Sequence, residues 1–228
     1  IPGLTELELI DTTLDDQAVA ALSTFPALRK LTLERAGITD SGVAHLAGAP
    51  NMWYLALDAN AIRGPGLAPL AKVSHLAVLT LNSNPIDDAS LRALFEFRRL
   101  RKLSVRHTNV TGSGFRYLAR LPNLRVMELD GTPIDDANAM SLAGLSLDVT
   151  IDFGGYSDVS LQGILNLHQE RLRLAGMLVN DSIDAEPTGA ASELKQWIEL
   201  AESIDADSES RSADQQFEYD RAVLEAYG

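Results

Sequence analysis

The chain has no cysteine among its 228 residues. This absence excludes disulfide bonds, cysteine nucleophiles and thiolate zinc sites. Aromatic residues are also few, at 6% of the chain, and no apolar run is long. Because a membrane-spanning helix needs about 18 or more consecutive apolar residues, we predict no membrane segment. The compartment stays open between cytoplasmic and secreted.

Basic residues are outnumbered, since 19 Lys and Arg stand against 32 Asp and Glu. Residues 158–228 hold 5 basic and 15 acidic side chains and so carry −10 of the formal charge of −13. Nucleic-acid binding requires a surplus of positive charge, and we therefore predict no nucleic-acid partner. The spacing of the four histidines fits neither a metal site nor a catalytic triad, and we expect no enzymatic activity, cofactor, metal or small-molecule substrate. These histidines are His45, His75, His107 and His168.

The sequence does contain an internal repeat with a constant spacing of 24 residues. Each unit begins with the pattern Leu-x-x-Leu-x-Leu, continues to a third apolar position such as Ile38, and then to a further leucine such as Leu46. We number the units one to seven. Their first residues are Leu4, Leu28, Met52, Leu76, Leu100, Leu124 and, in a degenerate seventh copy, Asp148.

Each unit changes its apolar period halfway. The first half alternates every two residues, which predicts a short strand, and the second half has the spacing of one or two helical turns. Carboxylates at the junction can cap a helix, so helices should begin just after them; Gly64 and Gly112 replace them in two units. These carboxylates are Asp16, Asp40, Asp88 and Asp136. Polar residues at the ninth position can satisfy backbone groups where the chain leaves the strand, and Ala36 interrupts their series. They are Thr12, Asn60, Asn84, Thr108 and Thr132.

The pattern Leu28-x-x-Leu31-x-Leu33, followed by Ile38-Thr39-Asp40-x-Gly42-Val43, resembles the leucine-rich repeat. The form is similar to repeats of bacterial proteins and of the substrate-recognition halves of F-box proteins, and it covers residues 4 to 157. The resemblance implies an α/β fold: a right-handed solenoid with a curved parallel sheet inside and helices outside. It also implies protein recognition as the role and no reaction.

The two ends of the repeat region differ. A solenoid needs capping segments because its core is otherwise exposed at the ends, and the three residues before Leu4 are too few for one, so we expect the natural chain to extend upstream. Downstream, we predict a capping helix within residues 158–179 after the solenoid of residues 1–157. Residues 180–228 should form an acidic helical tail that is partly mobile.

Three rows of side chains should project from the concave face of the sheet, because residues beside the two inner leucines point away from the core. Row 1 is Glu6, Lys30, Tyr54, Val78, Lys102 and Val126. Row 2 is Glu8, Thr32, Ala56, Thr80, Ser104 and Glu128. Row 3 is Ile10, Glu34, Asp58, Asn82, Arg106 and Asp130. The small residues of row 2 predict a shallow trough, with Trp53, Tyr54 and Val78 as its wall and Asp58 at its edge. Aromatic residues are frequent interface anchors, so Trp53 and Tyr54 are the strongest candidates for partner contact, unless Trp53 packs over the sheet edge instead.

A basic segment runs from Arg92 to Arg125, with nine Lys or Arg residues and one acid, Glu96. One interpretation is a solvated face, since Arg116 and Arg120 should lie on the outer helices. The other is an acidic partner bound by Arg101, Lys102, Arg106 and His107 on the concave side. The acidic tail could itself be that ligand.

These observations favour a protein-interaction module that binds a partner protein on its concave face, as part of a larger bacterial protein and possibly a secreted effector. The alternative is the substrate-recognition part of a ubiquitin-ligase-like effector enzyme, in which a repeat solenoid precedes a helical region. The absence of cysteine excludes a cysteine-based ligase mechanism within this segment.

Overall fold

A parallel sheet of seven strands forms one side of the molecule, in a computed structural model that describes residues 3–155 and 158–175. The strands lie in chain order, and each strand residue pairs with the residue 24 positions later, as Leu31 pairs with Leu55. The strands are β1 Glu6–Ile10, β2 Lys30–Glu34, β3 Tyr54–Ala56, β4 Val78–Thr80, β5 Lys102–Ser104, β6 Val126–Glu128 and β7 Thr150–Asp152. The predicted register of 24 is confirmed for every strand pair.

The core lies between this sheet and a layer of helical segments. The two inner apolar residues of units two to six, such as Leu55 and Leu57, are fully buried, because alternate strand residues point to the same face, whereas Leu7 and Leu9 of unit one are partly buried. Leucines of the second half, such as Leu70 and Leu94, close the core from the helical side. One strand and one helical segment therefore complete each unit, as the change of period predicts.

The helical side varies from unit to unit although the strand side does not. The α-helices are α1 Asp16–Leu22, α2 Asp40–His45, α3 Phe115–Leu118, α4 Asp136–Ala139 and α5 Leu161–Leu174. The 3₁₀ segments are Leu46–Gly48, Pro65–Lys72, Ser90–Leu94 and Met140–Gly144. Units three and four have only 3₁₀ helix, and in unit three Pro69 lacks the amide that an α-helix interior requires.

The structure corrects the predicted capping residues by one position. The side chains of Asp15 and Asp135 cap α1 and α4 by accepting hydrogen bonds from the amides of Ala18 and Asn138. The predicted caps Asp16, Asp40 and Asp136 are instead the first residues of their helices. Their carboxylates are consequently available to the neighbouring unit.

Polar residues at the ninth position of units three to six lie inside the coil and satisfy backbone groups, as predicted, whereas Thr12 of unit one is exposed. Asn60 Oδ1 accepts from the amides of Ala36 and Ile38, and its amide nitrogen donates to the carbonyl of Leu33. Asn84 repeats this arrangement one unit later toward Ile62 and Leu57. We call Asn60, Asn84, Thr108 and Thr132 the interior ladder. It gives buried polar groups the partners that burial demands.

Helix α5 follows the last strand, inside the segment predicted to hold a capping helix. The Ser160 side chain accepts from the Gly163 amide at the start of α5, and Leu167 is buried in the core. The helix packs against α4 and the Met140–Gly144 segment. The predicted acidic tail at 180–228 lies outside the described residues, and the proposed boundaries at 157 and 179 stay predictions.

Candidate interaction surface

The sheet face opposite the leucine core is the predicted concave face, and from β2 to β5 its first two rows are buried, whereas Glu6 and Glu8 of β1 are exposed. Val78 and Ser104 have no exposed surface and Lys102 is 2% exposed. Tyr54, Ala56 and Thr80 are buried as well. This corrects the expectation that Tyr54, Val78 and Lys102 present their side chains to solvent. Side chains of one row lie in register on adjacent strands, where they pack against each other.

The basic residues on this face have acidic partners within the solenoid. Lys102 Nζ lies 2.7 Å from Glu128 Oε1, and Arg106 Nη2 lies 2.9 Å from Asp152 Oδ2. Arg106 Nε also lies 3.4 Å from Glu128 Oε2. Burial alone would raise the pKa of Glu128, but the charges of Lys102 and Arg106 outweigh it and lower that pKa. Lys102 and Arg106 are thus neutralised by Glu128 and Asp152, which sequence reasoning did not pair with them.

Two members of the predicted wall, Trp53 and Tyr54, form an edge-to-face pair, while Val78 is buried. The ring centroids of Trp53 and Tyr54 lie 5.8 Å apart with an interplanar angle of 73°. Lys30 Nζ lies 5.5 Å from the Tyr54 ring centroid, within the range of a cation–π contact. Trp53 is half-buried and Tyr54 is buried. Trp53 is therefore the accessible member of the pair.

Asp58 lies at the carboxyl end of β3 and is tied to the next unit. The backbone and side-chain amides of Asn82 donate to its carboxylate over 2.9 and 3.1 Å. Asn82 Oδ1 in turn accepts from Ser104 Oγ at 2.7 Å and from the Arg106 amide at 2.8 Å. Burial raises the pKa of Asp58 to about 6, despite these hydrogen bonds. Hydrogen bonds thus link Asp58 to Asn82, and Asn82 to Ser104 and Arg106, across three units.

A row of exposed side chains follows the strands, and sequence reasoning missed it. The residue after row 3 adopts a left-handed backbone in six units, with φ between +47° and +63°. We call this row the rim: Asp11, Arg35, Ala59, Ser83, His107 and Gly131. Residues with side chains adopt this conformation at a cost of about 1–2 kcal/mol each. The rim occupies the eighth position of each unit. The glycine at that position in unit six is the sequence signal that could have revealed the left-handed backbone.

Hydrogen bonds hold the rim in place. The amide of Arg35 donates to the carbonyl of Asp58, and the amide of Ser83 donates to that of Arg106. Asp11, Ala59 and His107 make the same bond to row 3 of the following unit. Because the backbone of every rim residue from unit one to unit five is fixed in this way, the exposed side chains of Arg35, Ser83 and His107 stand along a rigid edge in units two, four and five.

His107 is the most exposed of the predicted site residues. Its Nε2 lies 3.8 Å from Asp130 Oδ2, and its side chain is 54% exposed. The ring lies over Gly131, where an added Cβ would come within 2.0 Å of Nδ1. Because Gly131 has no side chain, the ring of His107 fits over it. Arg101 is half-buried just before β5, and its carbonyl accepts the amides of Arg125 and Val126.

Within residues 3–155 and 158–175, no cluster of His, Asp and Glu has the arrangement of a metal site. None of the helices in these ranges combines the length and apolar character needed to cross a membrane.

The register, the buried leucines and the helical layer define the chain as a leucine-rich repeat solenoid of the α/β class. Among solved structures, an internalin C2 from Listeria monocytogenes is similar, with a TM-score of 0.56 and 25% identity over 73% of this chain and 68% of that one. An internalin F from the same organism aligns with a TM-score of 0.51 and 19% identity, over 82% of this chain and 56% of that one. No protein-family model and no curated protein matches the sequence.

Proposed function

We propose that the solenoid is a protein-interaction module that binds a partner protein along the rim and row 3 of its concave side. The observation that carries this proposal is the rim itself. Its polar side chains are exposed, evenly spaced and fixed by backbone hydrogen bonds, so a partner meets a preorganised surface. Preorganisation favours binding because fewer side chains lose freedom on association.

The predicted site residues take two roles in this proposal. Trp53, Asp58, Arg101, Arg106 and His107 are half-buried or exposed and act as contact residues. Tyr54, Val78 and Lys102 are buried beneath them and support the surface. The ion pairs of Lys102 and Arg106 fix the floor of the site, while Trp53 and His107 supply accessible apolar and polar contact.

The wider setting is a second part of the proposal. We place the chain in a larger bacterial protein, a secreted effector, in which it supplies recognition rather than catalysis. The likeness to two bacterial solenoids supports the bacterial origin. The partner on the concave side need not be acidic, because Lys102 and Arg106 already pair with carboxylates of the solenoid.

The test is affinity capture from bacterial and host lysates, followed by mass spectrometry. The rim variant Arg35→Asp/His107→Asp is compared with wild type, and aspartate is chosen because it tolerates a left-handed backbone. The matched control, Arg63→Asp/His45→Asp, makes the same charge change at exposed positions away from the rim. We expect a protein that wild type and control retain and the rim variant loses.

Circular dichroism and a melting curve must first show that both variants are folded. Retention of the same proteins by the folded rim variant would contradict the proposal. A partner lost equally from the rim variant and its control would also contradict it, because the effect would then reflect charge and not the surface.

A further inference from the structure

The outer side of units four and five carries positive charge that the concave side does not. Arg92 lies in the Ser90–Leu94 segment and Arg116 lies 24 residues later in α3, which packs against that segment. Both are exposed, as is Arg120. Equivalent positions of adjacent units are neighbours because the sheet keeps one register. These arginines therefore form one continuous surface.

An aromatic pair lies within this surface. Arg116 Nη2 donates to Tyr117 Oη over 3.1 Å, and the Arg116 guanidinium lies 4.9 Å from the Tyr117 ring centroid. The hydrogen bond from Arg116 is the main cause of a lowered pKa of Tyr117, and the charge of Arg92 adds to it. Arg92 is thus close enough to act on the same group.

Phe95 supplies an apolar point between the arginines. It is 36% exposed, and no other large apolar side chain of units two to six is exposed to that degree. The equivalent positions of the flanking units hold Ala71 and Ala119, so no bulky neighbour covers the ring. Phe95 therefore offers an apolar contact point beside the arginines of this surface.

The arginines of this surface lack acidic partners in the part of the chain that the structure describes. The ion pairs of the basic segment involve Arg98, Lys102 and Arg106, and none joins Arg92, Arg116 or Arg120 to a carboxylate of the described residues. The acid at the equivalent position to Arg120 in unit four, Glu96, pairs with Arg98, whose Nε lies 3.7 Å from Glu96 Oε2, so the three arginines leave an excess of positive charge in a protein that is acidic overall. The surface is therefore complementary to negative charge.

We propose that this outer patch, formed by Arg92, Phe95, Arg116, Tyr117 and Arg120, binds an acidic polypeptide segment that carries an apolar side chain. Carboxylates of the segment pair with the guanidinium groups, and its apolar side chain packs on Phe95 and Tyr117. A polypeptide fits better than a nucleic acid, because three arginines in a protein of net charge −13 cannot neutralise a long polyanion. This site lies on the opposite side of the units from the rim and goes beyond the proposed function.

The probe is a fluorescein-labelled peptide of about twelve residues in which Asp and Glu surround one central Phe. Fluorescence anisotropy at low ionic strength, with the full chain, should show saturable binding that weakens as salt is added. The double variant Arg92→Glu/Arg116→Glu should bind at least about tenfold more weakly. The matched control Arg29→Glu/Arg63→Glu changes the charge equally at exposed positions elsewhere and should bind like wild type.

Phe95→Ala separates apolar contact from charge. It should weaken binding of the Phe-containing peptide about threefold and leave binding of an all-acidic peptide unchanged. A peptide that fails to bind wild type at low salt would overturn the proposal, and so would an equal loss in the arginine variant and its control. A single-stranded oligonucleotide of the same charge that binds more tightly would overturn the assignment to a polypeptide. The rim variant should bind the peptide normally, which keeps this test distinct from that of the proposed function.

Discussion

Two rows of polar side chains form hydrogen bonds along the solenoid, and they differ in charge and in burial. The interior ladder uses neutral amides and hydroxyls that are buried or nearly so. On the helical side, the carboxylates of Asp40, Asp88 and Asp136 reach into the following unit. A neutral amide can be buried once its partners are present, whereas a carboxylate is held where water still reaches it. The difference shows that burial decides which chemistry each row uses.

The carboxylate row reaches two glycines that stand at the aspartate position, Gly64 in unit three and Gly112 in unit five. Asp40 Oδ1 accepts from the amides of Gly64 and Gly66, each at 2.9 Å. A Cβ on Gly64 would lie 2.5 Å from Ser90 Cβ, and a Cβ on Gly66 would lie 2.1 Å from the carbonyl oxygen of Asp40, so only glycine fits at either position. Asp88 accepts in the same way from Gly112, and Asp136 from Ser160. The aspartates of units two, four and six thus accept hydrogen bonds from units three, five and seven, whereas units one and two both carry aspartate at this position.

The largest expected effect is loss of an interior amide. Asn84→Ala removes the Asn84 bonds to Ile62, Leu57 and Leu81 and leaves buried backbone groups without partners. We expect the free energy of unfolding, measured in urea, to fall by about 2–4 kcal/mol. The exposed Asn51→Ala is the control, and a similar loss there would contradict the special role of the interior position.

Removal of a carboxylate should cost less. Asp88→Ala deletes hydrogen bonds from Thr111, Gly112 and Ser113, which are partly exposed to water. We expect a loss of about 1–2 kcal/mol in urea unfolding. Glu6→Ala, at an exposed position of β1, should be nearly neutral. A loss at Asp88 as large as that at Asn84 would break the distinction between the two rows.

A single hydroxyl of the interior ladder should matter less again. Thr108 Oγ1 donates one hydrogen bond, over 2.6 Å, to the carbonyl of Val105. Thr108→Val keeps the shape and removes only this bond, so we expect a loss of about 1 kcal/mol. Thermal unfolding of both variants would check the order, and a Thr108→Val loss larger than that of Asn84→Ala would show that bond number does not set the cost.

The pH dependence should separate the carboxylates from one another. Burial would raise the pKa of Asp88, but hydrogen bonds led by that of Thr111 lower it overall, so its stabilisation exists above the unfolded pKa and is lost as the pH falls. The pH dependence of Asp58 has the opposite sign, because its pKa is raised to about 6. Its contribution to stability is present below about pH 4 and is lost as the pH rises through 6.

Urea unfolding of Asp58→Asn and Asp88→Asn between pH 3 and pH 8 measures both effects. Asp58→Asn should reduce the fall in stability between pH 4 and pH 7, and Asp88→Asn should reduce the fall below pH 4. Parallel curves for both variants and wild type would show that neither group is linked to folding.

Much of the fold could be predicted because it depends on spacing alone. Apolar residues 24 apart fix the strands, their register and the inner leucines such as Leu31 and Leu55. The site was harder to predict from the sequence, because its properties depend on which side chains contact each other. Nothing in the spacing says that Glu128 and Asp152 would neutralise Lys102 and Arg106, or that Val78 would be buried.

The alternation of carboxylate and glycine bears on how such a chain grows and shrinks during evolution. From unit two onward each strand repeats after 24 residues, but the helical side repeats after two units, so within that stretch the smallest block that can be duplicated or lost without mismatch spans a pair. Excision of unit four alone, for example, would leave the Gly112 amide without the carboxylate of Asp88. We expect a chain shortened by a pair of units to melt higher than one shortened by a single unit, although it is the shorter of the two.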